Sequence, residues 1–364
     1  MKSEQRKTPG TSVRAKRVDP AETTRLEALG SSDISSLIEP YRRELQLHCY
    51  RLLGSLHDAE DLVQETMLRA WQRFDTFKGT ASLRTWLYTI ATNACLDALK
   101  KRSPRTLPVA AAPATDPHGP IAPPASEALW LEPFPDSWLA EAAYNPEAHY
   151  TRHESISLAF LTVLQLLPPR QRAILLLLDV LDWRANEVAH LLGISVSAVN
   201  SAMHRARVTL AKHYHPDERE LAQVSLTDAE TSALLSRYVQ AWETDDVAGL
   251  VALLKEDATF SMPPFSAWFW GREAIRAIFT SKLFGSGVQK KWRLSPTAAN
   301  AQPAFALYQA DDSKGSYRAF GIQVVTLDSS APARPIAAVM IFNVPSLVTF
   351  FGFPLQLPGE PSDF

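Results

Sequence analysis

Ten prolines fall between residues 104 and 146, and they divide the chain more firmly than any other feature of the sequence. Proline fixes φ and has no N–H to donate, so this density forbids a continuous helix or a central strand. Residues 106–150 also carry six carboxylates and no lysine or arginine. We therefore predict a proline-rich acidic linker over 104–146 that joins separately folded units.

Helical periodicity flanks this linker on both sides. Apolar residues recur at three- and four-residue spacing over 34–102 and again over about 146–214, as a buried helical stripe requires. One amphipathic helix, about Asp228 to Leu254, then precedes alternating, strand-like stretches: Ala258–Met262, Ala304–Gln309, Tyr317–Leu327 and Ile336–Asn343. The predicted fold class is multidomain, with two all-α domains and a C-terminal α+β domain.

These changes of pattern give the domain bounds that we predict. Residues 1–30 are polar and basic without a period, which is typical of a disordered arm. The bounds that follow are 31–103 for the first helical domain, 104–146 for the linker, 147–215 for the second helical domain, 226–350 for the α+β domain and 351–364 for a C-terminal tail. The aromatic and proline-rich stretch 350–358 is a candidate docking segment.

Charge and cysteine content limit the classes of protein to consider. Residues 39–105 carry 11 basic against 8 acidic side chains, and residues 152–215 carry 7 against 4, so each helical unit has a net charge of +3. Cys49 and Cys95 are the only cysteines and match no zinc or disulfide spacing. We expect no metal and no cofactor. No run of about 18 apolar residues occurs, so we expect a cytoplasmic protein.

A helix-turn-helix pattern occupies residues 183–210. Gly193 supplies the tight turn between two helices, and Ser195 is placed to cap the second one. Val199 and Met203 lie on the buried stripe of that helix, and Arg, Asn, Ser and His on its other face are types that read base edges or phosphates. The predicted DNA-binding residues are Ser197, Asn200, Ser201, His204, Arg205 and Arg207. A solvated polar face in an ordinary helical bundle is the alternative.

A ridge of carboxylates and an amide lies on a helix of the first unit. Its members surround the apolar positions Leu62, Val63 and Met67, and they are Asp58, Glu60, Asp61, Gln64 and Glu65. Such a ridge suits a basic helical partner, and a solvated charged face is the alternative. Trp71 and Trp86 fall on apolar stripes, so we expect both in the core, and a role as stacking platforms is the alternative.

The order of these blocks resembles one protein family. Residues 167–210 look like region 4 of the sigma-70 family, and residues 58–102 resemble its region 2, so the chain is similar to the extracytoplasmic-function sigma factors. The resemblance implies a protein that binds core RNA polymerase, through the β′ clamp coiled coil and the β flap, and recognises promoter DNA. Region 4 would read the -35 element, and the acidic ridge would bind the β′ coiled coil.

The same resemblance assigns the -10 element to region 2. Opening a promoter requires capture of a flipped base and a basic groove for the single strand. The family places the flipped base in the loop that holds Lys78, Gly79, Thr80 and Ser82. Arg84, Asn93, Lys101 and Arg102 would then follow the strand.

The C-terminal part resembles the SnoaL-like members of the cone-shaped NTF2-like fold, over about 228–350. A cone of this kind can enclose an apolar cavity that binds a small ligand of unknown identity. Its predicted lining residues are Tyr238, Phe260, Met262, Trp268, Trp270, Phe305 and Tyr308, with Phe320 beside them. Aromatic side chains at these positions can equally well fill the cone.

The linker contains Trp130-Leu131-Glu132-Pro133-Phe134-Pro135, which is too apolar for a simple spacer. It resembles the linker motif of extracytoplasmic-function sigma factors that carry a C-terminal extension, and Trp130 and Pro133 are the expected contacts with that extension. We therefore predict a sigma factor modulated in cis by its C-terminal domain, without catalytic activity.

Two other functions remain open at this point. A conventional helix-turn-helix regulator with a ligand-binding domain would bind duplex DNA unaided. A SnoaL-type enzyme would need a base, for which Asp246 or Asp257 are candidates, since no histidine follows His215.

Overall fold

The structure is a computed structural model. It describes residues 31–79, 81–124, 130–141, 156–214, 229–285, 292–311, 315–328, 330–331 and 334–359. The predicted N-terminal arm, Thr80 of the -10 loop and the last five residues of the predicted tail lie outside the described residues.

Helices dominate the chain up to residue 214. In chain order they are α1 Ser31–Ile38, α2 Arg42–Leu53, α3 Leu56–Gln72, α4 Leu83–Leu99, α5 Pro108–Ala111, α6 Asp136–Glu141, α7 Leu158–Leu166, α8 Pro169–Leu175, α9 Ala185–Leu192 and α10 Val196–His213. The linker region holds the short α5 and α6, as its proline content requires.

The first helical unit is built on α2, α3 and α4. Gly54 ends α2 in the left-handed region, at φ 72°, and the hydroxyl of Ser55 caps α3 by accepting from the N–H of Asp58. The predicted break after α3 is a 3-10 turn, Phe74–Thr76. Trp86 is half-buried against the rings of Phe74 and Phe77.

The expectation that Trp71 belongs to the core is wrong. Its side chain is 43% exposed because it lies at the edge of the α3 stripe, next to solvent. Val63 and Met67 on the same helix are buried, as predicted.

The second helical unit holds the predicted helix-turn-helix in α9 and α10. Gly193 adopts φ 64° after α9, and Ser195 caps α10 by accepting from the N–H of Ala198. Val199, Met203 and Ala206 are buried against the rest of the unit. The turn chemistry and the buried stripe are therefore both as predicted.

The C-terminal unit is a seven-stranded sheet with helices packed against it. Its strands are β1 Leu254–Ser261, β2 Trp268–Trp270, β3 Trp292–Ala299, β4 Gln302–Asp311, β5 Ser316–Leu327, β6 Ile336–Phe342 and β7 Gln356–Pro358. Its helices are α11 Ala229–Glu243, α12 Val247–Leu253, α13 Arg272–Ile278 and α14 Leu347–Phe350. The strand order is β2-β1-β6-β5-β4-β3, with β7 added to β5, and only the β1–β6 pair is parallel among the described strands.

Two details differ from the expected elements. The helix expected over 228–254 is two helices, because the chain turns through Asp245 at φ 55° and the carboxylate of Asp246 caps α12 through the N–H of Gly249. Strands β2, β3 and β7 were not predicted. Pro296 lies within β3, which tolerates it because β3 is an edge strand.

The two faces of the sheet have different partners. Phe305 and Leu307 of β4 face α11–α13 in one apolar cluster. Ala304 and Ala306, which alternate with them, join a second cluster that also contains Phe134 of the linker and residues of both helical units. The described structure thus has two helical units and one α+β unit, as predicted, and the outer sheet face shares a continuous core with the helices.

Trp242 and Trp270 offer a matched test of this packing. Trp242 is fully buried between Phe279 and Trp292, whereas Trp270 is 62% exposed. We expect Trp242→Ala to lower the free energy of unfolding by about 3–5 kcal/mol, because it leaves a large cavity. Trp270→Ala should change it by no more than about 0.5 kcal/mol. Urea unfolding followed by circular dichroism measures both, and equal losses would contradict the assigned core.

Candidate nucleic-acid and protein interfaces

The outer face of α10 presents the predicted DNA-binding residues together. Ser197, Asn200, Ser201, His204 and Arg205 are all exposed, while the opposite face of the helix is buried. The guanidinium of Arg207 donates to the carboxylate of Asp179 at 2.7 Å, and this hydrogen bond raises the pKa of Arg207. Five of the six predicted residues therefore lie open to solvent, and the sixth is engaged in an exposed ion pair.

The predicted -10 residues differ from one another in solvent exposure and in their hydrogen-bond partners. Lys78, Asn93 and Lys101 are exposed. Ser82 is occupied as the cap of α4, where it accepts from the N–H of Thr85. Gly79 adopts φ 64°, a conformation that suits glycine in a tight loop.

Two arginines of this predicted site are bound to acidic side chains of the same unit. Arg84 pairs with Glu44 at 2.9 Å and lies over the ring of Tyr88. Arg102 pairs with the carboxylate of Asp58. Both would have to exchange these partners to contact a phosphate.

The side chains of the acidic ridge on α3 point in different directions and have different partners. Asp58 faces the start of the linker, where Arg105 donates to it at 2.6 Å in addition to Arg102. Glu65 pairs with Arg69 one turn along, and Glu60 accepts from the amides of Gln46 and Gln64. Asp61 and Gln64 are the exposed members of the ridge.

Two apolar residues complete this exposed face, and the sequence reasoning missed them. Leu68 is 49% and Trp71 is 43% exposed. At 100° per residue, positions 61, 64, 68 and 71 lie within about 80° of one another on a helix. That spacing is present in the sequence, but the prediction placed Trp71 in the core and gave Leu68 no role. We call Asp61, Gln64, Leu68 and Trp71 the α3 face.

The linker motif caps the helix that carries this face. One carboxylate oxygen of Glu132 accepts from the N–H groups of Leu56 and His57, at 2.7 and 3.1 Å, and from the hydroxyl of Ser55 at 2.9 Å. The same oxygen meets Nδ1 of His57 at 3.1 Å. A carboxylate at a helix N-terminus satisfies free N–H groups and complements the helix dipole.

Glu132 and His57 each shift the pKa of the other. Burial alone would raise the pKa of Glu132, but the hydrogen bond from His57 and its positive charge hold that pKa below its ordinary value. In return the bond to Glu132 raises the pKa of His57. Nε2 of His57 also meets the hydroxyl of Ser346, and its ring lies edge-on to Phe350 at 5.0 Å. The N-terminus of α3 therefore touches both the linker and the C-terminal unit.

The linker is also bound to the sheet at several points. The indole N–H of Trp130 donates to the carbonyl of Pro264 at 2.8 Å, and Pro133 is buried. Farther upstream, the N–H of Thr115 donates to the carbonyl of Trp268, and the indole of Trp268 donates to the carbonyl of Ala112. The linker thus leaves the first helical unit, runs along the edge strand β2 and then returns to the helical units.

Asp136 binds the C-terminal end of linker residues 130–136 to the sheet. Its carboxylate accepts from the N–H of Ala301 in the β3–β4 turn, at 3.0 and 3.1 Å. Burial raises the pKa of Asp136 to about 6, and that hydrogen bond opposes the rise. Among the linker carboxylates that the structure describes, Glu132 and Asp136 are therefore held by hydrogen bonds to other parts of the chain.

The aromatic residues predicted to line a cavity largely fill the cone. Tyr238, Phe260 and Phe305 are buried in the apolar cluster between the sheet and α11–α13, with Phe320 and Met262 packed at its margin. Beside Phe260 and Met262 only a small void of about 20 Å³ remains in the described part of the unit. A larger open groove of about 640 Å³ lies between α11 and the edge strand β3.

The other predicted lining residues lie elsewhere. Tyr308 is on the outer face of the sheet, where its hydroxyl donates to the carbonyl of Pro354 at 2.8 Å, because alternation along β4 gives it the same face as Ala304 and Ala306. Trp270 is exposed, and Trp268 is half-buried under the linker. The stretch 350–358 packs along β5 through β7 and α14, and Phe350 contacts Trp138 of the linker helix α6.

The two candidate bases do not face the cone. Asp246 is exposed and caps α12, and Asp257 is exposed and pairs with Lys255 at 3.3 Å. Within the described residues, no helix combines the length and the apolar character that crossing a membrane requires.

Comparisons with known proteins match all three units. The family model of sigma-70 region 2 matches residues 37–105, that of sigma-70 region 4 matches residues 157–210, and that of the SnoaL-like domain matches residues 235–330. The ECF RNA polymerase sigma factor SigG of Mycobacterium tuberculosis is 42% identical over 330 residues, which cover 89% of this chain and 85% of that protein.

More distant relatives cover different parts. The ECF RNA polymerase sigma factor SigW of Bacillus subtilis is 28% identical over 179 residues, or 49% of this chain and 87% of that protein. The crystal structure of the M. tuberculosis extracytoplasmic function sigma factor SigJ has 22% sequence identity and a TM-score of 0.49, over 88% of this chain and 99% of that chain.

The raised pKa of Asp136 predicts a pH dependence of stability. When the folded chain has a pKa near 6 and the unfolded carboxyl has its ordinary 3.8, the folded state binds the extra proton between these values. This contribution to stability is complete below about pH 4 and is lost as the pH rises through about 6. At pH 7.5 we therefore expect Asp136→Asn, which keeps an acceptor for Ala301, to melt about 2–4 °C above the unsubstituted chain.

Thermal melts at pH 7.5 and pH 5 check this expectation. The difference should shrink at the lower pH. Asp116→Asn, at an exposed position of the same linker, should give a pH-independent difference near zero. A lower melting temperature for Asp136→Asn at pH 7.5 would contradict the assignment.

Proposed function

The chain belongs to the extracytoplasmic-function sigma factors of the sigma-70 family, and from that premise we propose that its C-terminal domain restrains a sigma factor whose promoter-reading surfaces are already formed. As a member of this family it joins core RNA polymerase and directs transcription initiation at promoter DNA. The residues that carry each contact, and the restraint itself, are the proposal.

The observation that carries the restraint is the direct contact between the two helical units. The buried guanidinium of Arg172, on α8, donates to the carbonyl of Leu52 at the end of α2. The rings of Tyr88 and Trp183 lie 5.7 Å apart across the same contact. Burial lowers the pKa of Arg172 to about 10, so this charge remains at neutral pH and has to be satisfied by the carbonyl and amide groups around it.

Such contact is incompatible with reading two promoter elements at once. The -10 and -35 elements lie about 25 base pairs apart, which is roughly 85 Å along duplex DNA at ~3.4 Å per base pair. Two touching domains of this size have centres roughly 30 Å apart. The helical units must therefore separate before initiation, and the linker must leave the surface on which it lies here.

Exposed side chains support the assignment of the -35 contact to α10. Arg205 and Asn200 are suited to bidentate pairing with guanine and adenine, and Ser197, Ser201 and His204 flank them. Arg207 is proposed as a phosphate contact that exchanges Asp179 for DNA. Lys78, Asn93 and Lys101 are proposed to follow the -10 strand, with Arg84 and Arg102 joining after they release Glu44 and Asp58.

The α3 face is proposed as the surface that docks on the polymerase. An aromatic and an aliphatic side chain beside a carboxylate and an amide are the composition expected of an interface centre. Asp58 and Glu65 contribute less in this proposal, because both are engaged with arginines of the same chain.

Promoter recognition can be tested with Arg205→Ala in reconstituted transcription. Promoters would be selected from a randomised library by the unsubstituted holoenzyme. A lost bidentate base contact costs about 1–3 kcal/mol, so we expect initiation to fall roughly 5- to 150-fold, with relaxed preference at one base pair of the -35 element. Arg276→Ala, at an exposed position of the C-terminal domain, is the control and should initiate normally.

One experimental outcome would contradict this function. Tight, specific binding of the full chain to duplex DNA without polymerase, combined with no association with core enzyme, would favour a conventional helix-turn-helix regulator instead.

The docking face is tested by Trp71→Ala and Leu68→Ala. Removing a central aromatic residue from an interface typically costs at least 2 kcal/mol, so Trp71→Ala should weaken binding to core polymerase about 30-fold. Leu68→Ala should have a smaller effect of the same sign. Biolayer interferometry on immobilised core enzyme measures both, with Trp270→Ala as the matched exposed tryptophan. Unchanged affinity for both α3 variants would remove this face from the interface.

A further inference from the structure

The turn between β3 and β4 has an unusual backbone. Its two central residues, Asn300 and Ala301, have φ of 54° and 62°, both in the left-handed region. A two-residue hairpin requires this geometry, which asparagine tolerates and alanine adopts at some cost. Both N–H groups of the turn are directed at the linker: that of Asn300 donates to the carbonyl of Phe134 and that of Ala301 to Asp136. The turn is therefore held in this conformation by the docked linker.

The side chain of Asn300 reaches three other parts of the chain. It is 1% exposed. Its Oδ1 accepts from the N–H of Phe134 in the linker at 2.8 Å. Its Nδ2 donates to the hydroxyl of Tyr50 in the first helical unit at 3.0 Å, and to the carbonyl of Ile156, just ahead of α7, at 2.7 Å.

The chemistry of these partners fixes the orientation of the amide. The N–H of Phe134 can only donate, and the carbonyl of Ile156 can only accept, so Oδ1 and Nδ2 cannot be exchanged. Leucine, aspartate or glycine at this position could not satisfy all three partners. The contact is therefore specific to an amide side chain of this length.

Tyr50 carries the connection onward to the α3 face. Its hydroxyl accepts from Asn300 and donates to the backbone carbonyl of Glu132 at 2.7 Å. The carboxylate of Glu132 caps α3 through Leu56 and His57. Hydrogen bonds to the backbone and to the side chain of Glu132 thus connect the C-terminal domain to the helix proposed to dock on polymerase.

We propose that Asn300 is the positioning residue through which the C-terminal domain holds the linker and both helical units together in the closed arrangement. The proposal rests on the restraint described under Proposed function and names the residue that exerts it. Removing the side chain leaves the N–H of Phe134 and the carbonyl of Ile156 without a buried partner, a condition that opening to water relieves. Closure should therefore weaken roughly 10- to 100-fold.

The experiment compares three variants of the full chain. Asn300→Gly keeps the left-handed turn and removes the side chain. Asn300→Asp keeps an acceptor for Phe134 but loses both donations from Nδ2. Gln302→Ala is the matched control, since its amide donates to Thr326 within the C-terminal domain.

The separation of the helical units is the direct readout. Spin labels at Asp75→Cys and Ala211→Cys, both exposed, report the distance between the units by double electron–electron resonance. Cys49 and Cys95 are buried and would not be labelled in the folded chain. Circular dichroism melts verify that each variant retains its folded domains, and Asn300→Asp serves where Asn300→Gly fails that check.

We expect both Asn300 variants to shift the distance distribution to longer separations and to bind core polymerase more tightly, while Gln302→Ala matches the parent chain. Closed distances for both Asn300 variants, with an open population in Trp130→Ala, would overturn the role of Asn300 and leave the restraint intact. Closed distances and unchanged polymerase binding in all of them, Trp130→Ala included, would overturn the restraint itself. An equal opening in Gln302→Ala would assign the effect to the hairpin in general and would also overturn the proposal.

Discussion

The docking of linker residues 130–136 is the interaction on which the rest of this arrangement depends. A segment rich in proline has few backbone N–H groups, so it cannot form regular structure of its own. Here the remaining polar groups are satisfied by three different neighbours: Glu132 at the N-terminus of α3, Phe134 at Asn300, and Asp136 at Ala301. The aromatic side chains between them supply the apolar area. Together with the direct contacts of Asn300 with Tyr50 and of Ser346 with His57, this segment joins the C-terminal unit to the first helical unit.

In the proposed function, the contact surfaces are already formed in a chain that is not yet active. The face of α10 is exposed and preformed, and the α3 face is open to a partner. In the proposed mechanism the closed chain lacks only the span, because helical units in contact would not reach two promoter elements at once. Regulation by geometry of this kind needs no change in the recognition residues themselves. In the proposed function, the ion pairs of Arg84, Arg102 and Arg207 would keep these cationic groups satisfied until DNA replaced their partners.

The C-terminal domain uses its fold in an unexpected way. The side that faces α11–α13 is largely filled by aromatic residues, and the contacts with the linker and the helical units come from the opposite side of the sheet together with one hairpin turn. Tyr308 illustrates the difference: it was predicted to line the cavity, but it alternates along β4 with Phe305 and Leu307 and therefore lies on the outer face. The tail strand β7 and helix α14 extend that outer surface toward His57.

The sequence by itself determined the local features. Proline density marked the linker, Gly193 and Ser195 marked the helix-turn-helix, and the face of α10 followed from helical periodicity alone. These signals involve residues within a turn or two of one another. Tertiary structure decided which side chains are free: Asp58 and Glu65 looked equivalent to Asp61 until their arginine partners appeared. It also decided the docking, because Asn300 bonds Tyr50 across 250 positions and Glu132 reaches Leu56 across 76. No local period encodes a hydrogen bond between segments so far apart, since its existence depends on how separately folded units pack.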